Sequence, residues 1–194
     1  MVTLKAQTKV KSRSFNTFIH KTKFSTEYSP MKEMLQQLAT YNFWANQKLL
    51  ETILVFPEEK QKAELPSSFR SIYATVLHIW NAESIWWQRM KLQERILPPG
   101  ENFKGTMHEL AGELLMQNRQ WAEWVETAPD AVLDHVFEYR NTKRELFKQP
   151  VFQMLIHIFN HGTYHRGQLV NMLRQLGVEK IPQTDFIVWS RLKR

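Results

Sequence analysis

Three histidines, His157, His161 and His165, follow one another at intervals of four residues. Imidazole at neutral pH is both a base and the commonest metal ligand. In a helix, residues four apart stand one turn apart on the same edge, so two successive rings can reach a single ion. All three cannot, because the outer two are about 12 Å apart along the axis at about 1.5 Å per residue. The ligand pair is therefore either His157 with His161 or His161 with His165. Gly162 follows His161 where a zinc-protease helix carries its general-base glutamate, which disfavours metalloprotease chemistry. The chain has no cysteine, so thiolate ligands and a thiol nucleophile of its own are excluded, and histidine and carboxylate remain. A third donor has to come from another segment. His78, among Ala74, Ala82 and Ile85 at helical spacing, is the best candidate, with a hydrogen-bonded core histidine as its alternative reading. His108 and His135 are expected to face solvent, and His20 belongs to the N-terminal arm.

The elements that must position these rings are marked by proline. Pro30, Pro57, Pro66, Pro98, Pro99, Pro129, Pro150 and Pro182 all border apolar-periodic segments. Since proline inside a helix costs about 3 kcal/mol, helices are expected in the windows 31–56, 67–97, 100–128 and 151–181. In the first, Ser29 is the expected N-cap and Leu35, Leu38, Asn42, Ala45, Leu49 and Ile53 form a stripe at helical spacing. In the second, which starts near residues 67–71, the stripe is Ile72, Val76, Ile79, Glu83 and Trp87. The third opens on the capping box Thr106-Met107-His108-Glu109 and buries Leu110, Leu114, Trp121 and Val125. The last, from Pro150 to Gly177, carries the three histidines, with proline and glycine at the ends where a helix accepts them. Between residues 135 and 148, two short runs flanking Asn141-Thr142 read as a small hairpin or an ordered loop. Asp185 to Ser190 is expected to pack back on the bundle as a short helical or extended segment, and the seven tryptophans are assigned mostly to the core. The fold class is thus all-α: a four-helix bundle with a hairpin or loop insertion before the last long helix. Such bundles build metal sites from side chains that facing helices project inward.

Composition narrows the function. A chain of 194 residues is one domain. No apolar run reaches the roughly 18 residues of a membrane span. Of the net charge of +7, +5 lies in residues 1–30, where Lys5, Lys9, Lys11, Arg13, Lys21 and Lys23 face Glu27 alone. The remainder is near balance and lacks the broad basic face that nucleic acid requires. Residues 1–30 are expected to form a loosely attached arm and residues 31–194 the folded domain. The arm has no secretory h-region; its basic, hydroxylated make-up overlaps with transit peptides without their arginines or a helical stripe, and Met31 or Met34 could equally begin the chain. A cytoplasmic location is expected.

Three pieces carry a resemblance: Tyr41-Asn42-Phe43-Trp44-Ala45-Asn46, Leu77-His78-Ile79-Trp80-Asn81-Ala82-Glu83, and Asn160-His161-Gly162-Thr163-Tyr164-His165-Arg166-Gly167-Gln168-Leu169. Together they resemble the DinB family of four-helix metal-binding proteins, over about residues 31–190. The resemblance implies metal ligands at His78, His161 and His165, and it moves His157 to the pocket wall or behind the ligands. Arg166 and Gln168 complete the motif in a similar supporting position, and Gly167 is expected to let the helix approach a neighbour closely. The resemblance further implies a divalent metal (zinc, nickel, iron or manganese), a small-molecule substrate and a homodimer. Related proteins include transferases and isomerases that use low-molecular-weight thiols such as bacillithiol or mycothiol. The leading expectation is a metal-dependent thiol S-transferase. The alternatives are a metal-dependent hydrolase and a non-enzymatic metal-binding stress-response protein.

Overall fold

The computed structural model describes residues 29–141 and 143–192. The expected arm, and His20 within it, fall almost entirely on residues 1–28, outside the described residues. Four long helices form the bundle: α1 (Pro30–Ile53), α3 (Ile72–Met90), α4 (Met107–Thr127) and α6 (Val151–Gln175). Short helices α2 (Glu58–Lys62), α5 (Asp130–Asp134) and α7 (Phe186–Leu192), a 3-10 turn at Pro99–Glu101 and a hairpin of β1 (Val136–Arg140) and β2 (Leu146–Pro150) complete the described chain. Helices α1 and α3 each pack against both α4 and α6, so α1 and α3 stand on one diagonal of the bundle.

Local chemistry sets the helix ends. Ser29 Oγ accepts from the Lys32 N–H at the start of α1, and Ser71 Oγ accepts from Ala74 N–H at the start of α3. Both halves of the Thr106–Glu109 capping box form at α4. At the end of α6, Gly177 adopts φ +84°, and the N–H groups of Gly177 and Val178 donate to the carbonyls of Arg174 and Leu173, each at 3.0 Å. This left-handed cap gives carbonyls of the last turn their partners and needs glycine.

Two boundaries differ from expectation. Pro150 is the last residue of β2 and the N-cap of α6 rather than its first residue, because it pairs with Val136 and keeps an extended ψ of 145°. The second strand begins at Leu146, not Lys143. Asn141 Oδ1 accepts from the N–H groups of Lys143 (2.9 Å) and Glu145 (3.0 Å), so its side chain stands in for backbone and lengthens the turn. The tail folds back as helix: Trp189 is buried edge-on against Tyr41, whose hydroxyl donates to Thr184 O at 2.8 Å.

The core is divided. One apolar cluster joins Leu49, Ile53, Ile72, Val76, Ile79, Leu110, Leu114, Leu169 and Met172. Another joins Leu35, Ala39, Trp121, Val125, Met154, Leu155, Ile158 and Phe159. Between them, at mid-bundle, lie the buried polar residues Asn42, Asn46, Glu83, Asn118 and Arg166, each at most 3% exposed.

Candidate metal centre

The middle of α3 faces the middle of α6, and this brings His78, His161 and His165 together. His161 Nε2 lies 3.1 Å from His78 Nε2 and 3.0 Å from His165 Nε2. The three donor atoms all lie within 4.8 Å of one another, a group that could hold a metal ion. Tetrahedral zinc with Zn–N bonds of about 2.0–2.1 Å sets neighbouring nitrogens about 3.3 Å apart. The two separations from His161 are within a few tenths of an ångström of that value.

The proton positions also suit a cation. His165 Nδ1 donates to Gln168 Oε1 at 2.8 Å, while the Gln168 amide donates to Ser68 Oγ at 3.3 Å. With Nδ1 carrying the proton, His165 Nε2 presents a lone pair to the cluster. Phe69 lies face to face with His78, 4.0 Å between ring centroids, and edge-on to His165 at 5.6 Å, fixing both ring planes. Burial, with the neighbouring His165, holds the His78 pKa down at about 4. Burial, with His165, His78 and His157 around it, takes His161 down to about 3. Burial also lowers His165, against the opposing pull of Gln168. The rings are thus neutral at pH 7, the form that ligates metal.

The other candidates take different places. His157 is not in the group; its ring centroid is 5.9 Å from that of His161 and it packs edge-on against Trp86 at 5.4 Å, at the rim of the cluster. Partial burial and the Arg89 guanidinium lower its pKa. Of the two pairs on α6, His161 and His165 are the one grouped with His78. Arg166 turns away from the rings into the bundle, where Nη1 donates to Asn42 Oδ1 (2.6 Å) and Asn46 Oδ1 (3.1 Å) and Nη2 to Thr163 Oγ1 (2.7 Å). His108 and His135 are exposed, as expected.

The close-approach role expected of Gly167 is corrected. A Cβ there would meet nothing within 4 Å, whereas at Gly162 it would lie 2.7 Å from Asn42 Oδ1 and 3.1 Å from Arg166 Nη1. Gly162 faces α1 and Gly167 faces outward, five residues on. Sequence reasoning also missed Phe69 and Ser68, which lie in a loop without periodicity. It passed over Asn42 and Glu83 although both stand in otherwise apolar stripes, and that polar-in-apolar pattern was the available signal.

Histidines projected from two facing helices onto one point, inside a four-helix bundle, define a helical-bundle protein with a metal-compatible three-histidine site. Comparison with known proteins agrees. The chain matches the model of the DinB family over residues 31–191 and belongs to that family. It is 28% identical over 163 residues to the protein DinB of Bacillus subtilis, covering 80% of this chain and 93% of that one. Among solved structures, a DinB-like protein from Bacillus cereus superposes with a TM-score of 0.61 at 20% identity, covering 78% of this chain and 95% of the other. A protein assigned to the DinB family from Exiguobacterium sibiricum gives a TM-score of 0.56 at 15% identity, covering 81% and 99%. These two likenesses show the shared fold. Among the described residues, no helix is long and apolar enough to cross a membrane.

Proposed function

We propose that the chain is a metal-dependent thiol S-transferase whose ion is held by His78, His161 and His165. The observation that carries this reading is the convergence of three neutral imidazole nitrogens with, in the same group, no fourth protein donor and no carboxylate among the described residues. Three protein ligands leave a position for substrate, the pattern of catalytic rather than structural sites. His78, His161 and His165 would hold a divalent ion, whose chemistry there would be to acidify a thiol towards its thiolate, the form that attacks an electrophile. Because the three imidazoles are neutral, they would leave the double charge of such an ion uncompensated, which would suit an anionic substrate group such as a thiolate.

The chain's own residues do the rest. Gln168 holds the His165 proton on Nδ1, and Phe69 keeps the rings of His78 and His165 in place. His157 and Trp86 line the rim beside His161, where a small-molecule electrophile would enter. Zinc, nickel, iron and manganese all suit imidazole donors. We place the activity in the cytoplasm, in a homodimer without nucleic-acid partners.

The test begins with protein purified without added metal. Metal content is measured by mass spectrometry, and a panel of low-molecular-weight thiols is then assayed with a model electrophile, with and without chelator. The reading expects thiol-dependent turnover that chelator abolishes, and loss of metal in the His161→Ala/His165→Ala variant. Metal-dependent turnover without thiol would identify a hydrolase instead. Stoichiometric metal in the double variant would overturn the site, and bound metal without turnover would leave a metal-binding protein that is not an enzyme.

A further inference from the structure

The polar layer between the two half-cores is a closed ring of hydrogen bonds. From Arg166 Nη1, one limb runs to Asn42 Oδ1 (2.6 Å), and Asn42 Nδ2 donates to Glu83 Oε1 (3.0 Å). The other limb runs from Nη1 to Asn46 Oδ1 (3.1 Å), from Asn46 Nδ2 to Asn118 Oδ1 (2.8 Å), and from Asn118 Nδ2 to Glu83 Oε2 (2.5 Å). Along each limb every amide oxygen is on the side towards the guanidinium and every amide nitrogen on the side towards the carboxyl group, with Asn46 Nδ2 meeting Asn118 Oδ1 midway on the longer one. The three asparagines are thus aligned dipoles between the buried guanidinium and the buried carboxyl group of Glu83, and reversal of any one amide breaks the ring.

Its placement ties it to the histidines. Arg166 follows His165 directly and lies one helical turn and a residue beyond His161, while Glu83 is five residues beyond His78. The ring therefore clamps α3 to α6 just behind the donor cluster, using α1 and α4, which supply no candidate ligand, as the bridge. Gly162, between His161 and His165, leaves the space that Asn42 and Arg166 fill.

We infer that Arg166, Asn42, Asn46, Asn118 and Glu83 act as positioning residues for the metal centre, fixing the rotation and height of α6 against α3 so that His161 and His165 meet His78. The inference rests on the proposed metal site. It differs from a purely structural role in one respect: opening the ring weakens metal binding even where stability is retained. An apolar layer of the same volume would hold four helices together, but it would not fix one register, because apolar contacts are non-directional.

The test measures zinc affinity, by competition with a chromophoric chelator, and the melting temperature of the metal-free protein. The variants are Glu83→Gln, Arg166→Gln, the double variant carrying both, and Asn46→Ala. At pH 8, where Glu83 is ionised, each single charge variant leaves the opposite charge buried without its counterpart and is expected to melt lower than wild type. The double variant removes both charges and is expected to recover much of that loss, while still binding zinc about tenfold more weakly, the size of effect seen when groups behind metal ligands are removed. Asn46→Ala opens only the longer limb, from a helix without ligands, and keeps the test available should the charge variants not fold. It too is expected to weaken zinc binding, by a smaller factor. Wild-type zinc affinity in the folded double variant, or in Asn46→Ala where the charge variants do not fold, overturns the positioning role and leaves the metal site standing. No zinc uptake by the wild-type protein removes the metal site itself, and the positioning role with it.

Discussion

Two glycines five residues apart in α6 should respond to alanine in opposite directions. At an unobstructed helix position, glycine to alanine removes backbone freedom from the unfolded chain and stabilises by about 0.5–1 kcal/mol. Gly167 is such a position, since its Cβ would meet nothing within 4 Å. At Gly162 the same Cβ would stand 2.7 Å from Asn42 Oδ1 and 3.1 Å from Arg166 Nη1. An ordinary carbon–oxygen contact is about 3.3 Å or more, so Asn42 must retreat by more than half an ångström. Its oxygen is the one that accepts the 2.6 Å bond from Arg166. Loss of a hydrogen bond to a buried charged group costs about 1.5–3 kcal/mol. Set against the gain in chain entropy, Gly162→Ala should therefore destabilise by about 1–2 kcal/mol. For a chain of this size that is a fall in Tm of roughly 2–8 °C, while Gly167→Ala should raise it by about 1–4 °C. Thermal melts of the metal-free proteins followed by circular dichroism read both shifts. If Gly162→Ala stabilises as much as Gly167→Ala, Asn42 and Arg166 are not packed as described and the closed ring is wrong.

Two further outcomes follow from the centre. Gln168→Ala frees the His165 ring to carry its proton on either nitrogen and should weaken metal binding about 10-fold or more, with a fall in Tm of about 1–6 °C for the loss of one part-buried hydrogen bond; unchanged affinity in a chelator competition would refute the role given to that hydrogen bond. In the metal-free protein, stability should fall as pH drops from 6.5 towards 4, because the unfolded imidazoles take up protons there, while folded His78 and His161 do so only near about 4 and 3. Glu83 opposes this between pH 4.5 and about 7, since burial raises its folded pKa and the folded state then holds the extra proton, but it is one group against at least two. A Tm at pH 5 equal to or above that at pH 7.5 would contradict the balance.

The sequence carried the bundle and the three clustered histidines more fully than the bracing around them. Four proline-bounded windows with stripes at helical spacing locate α1, α3, α4 and α6, because proline cannot enter a helix interior and an apolar stripe has one place to go. The short helices α2, α5 and α7 were less legible, since a five- to seven-residue helix owes its existence to the surface it packs on. Spacing alone left His157 and His165 equivalent as partners of His161. The choice between them depends on which edge of α6 faces His78, a property of helix rotation that the wide polar face does not record. Rotation is what the ring of Arg166, Asn42, Asn46, Asn118 and Glu83 fixes, and its members were visible as single polar residues in apolar stripes but not as a connected set. Gly162 and Gly167 show the same limit: two glycines in one motif look alike until the neighbouring helix shows which of them it approaches.

A metal centre built by His78, His161 and His165 with a position left for sulfur can be read by X-ray absorption spectroscopy of the zinc-loaded protein before and after a low-molecular-weight thiol is added. Three imidazole nitrogens at about 2.0–2.1 Å are expected in both states, and one sulfur at about 2.3 Å after the thiol is added. A first coordination sphere without three imidazoles would contradict the site, and one with three imidazoles that takes no sulfur would contradict the chemistry proposed for it.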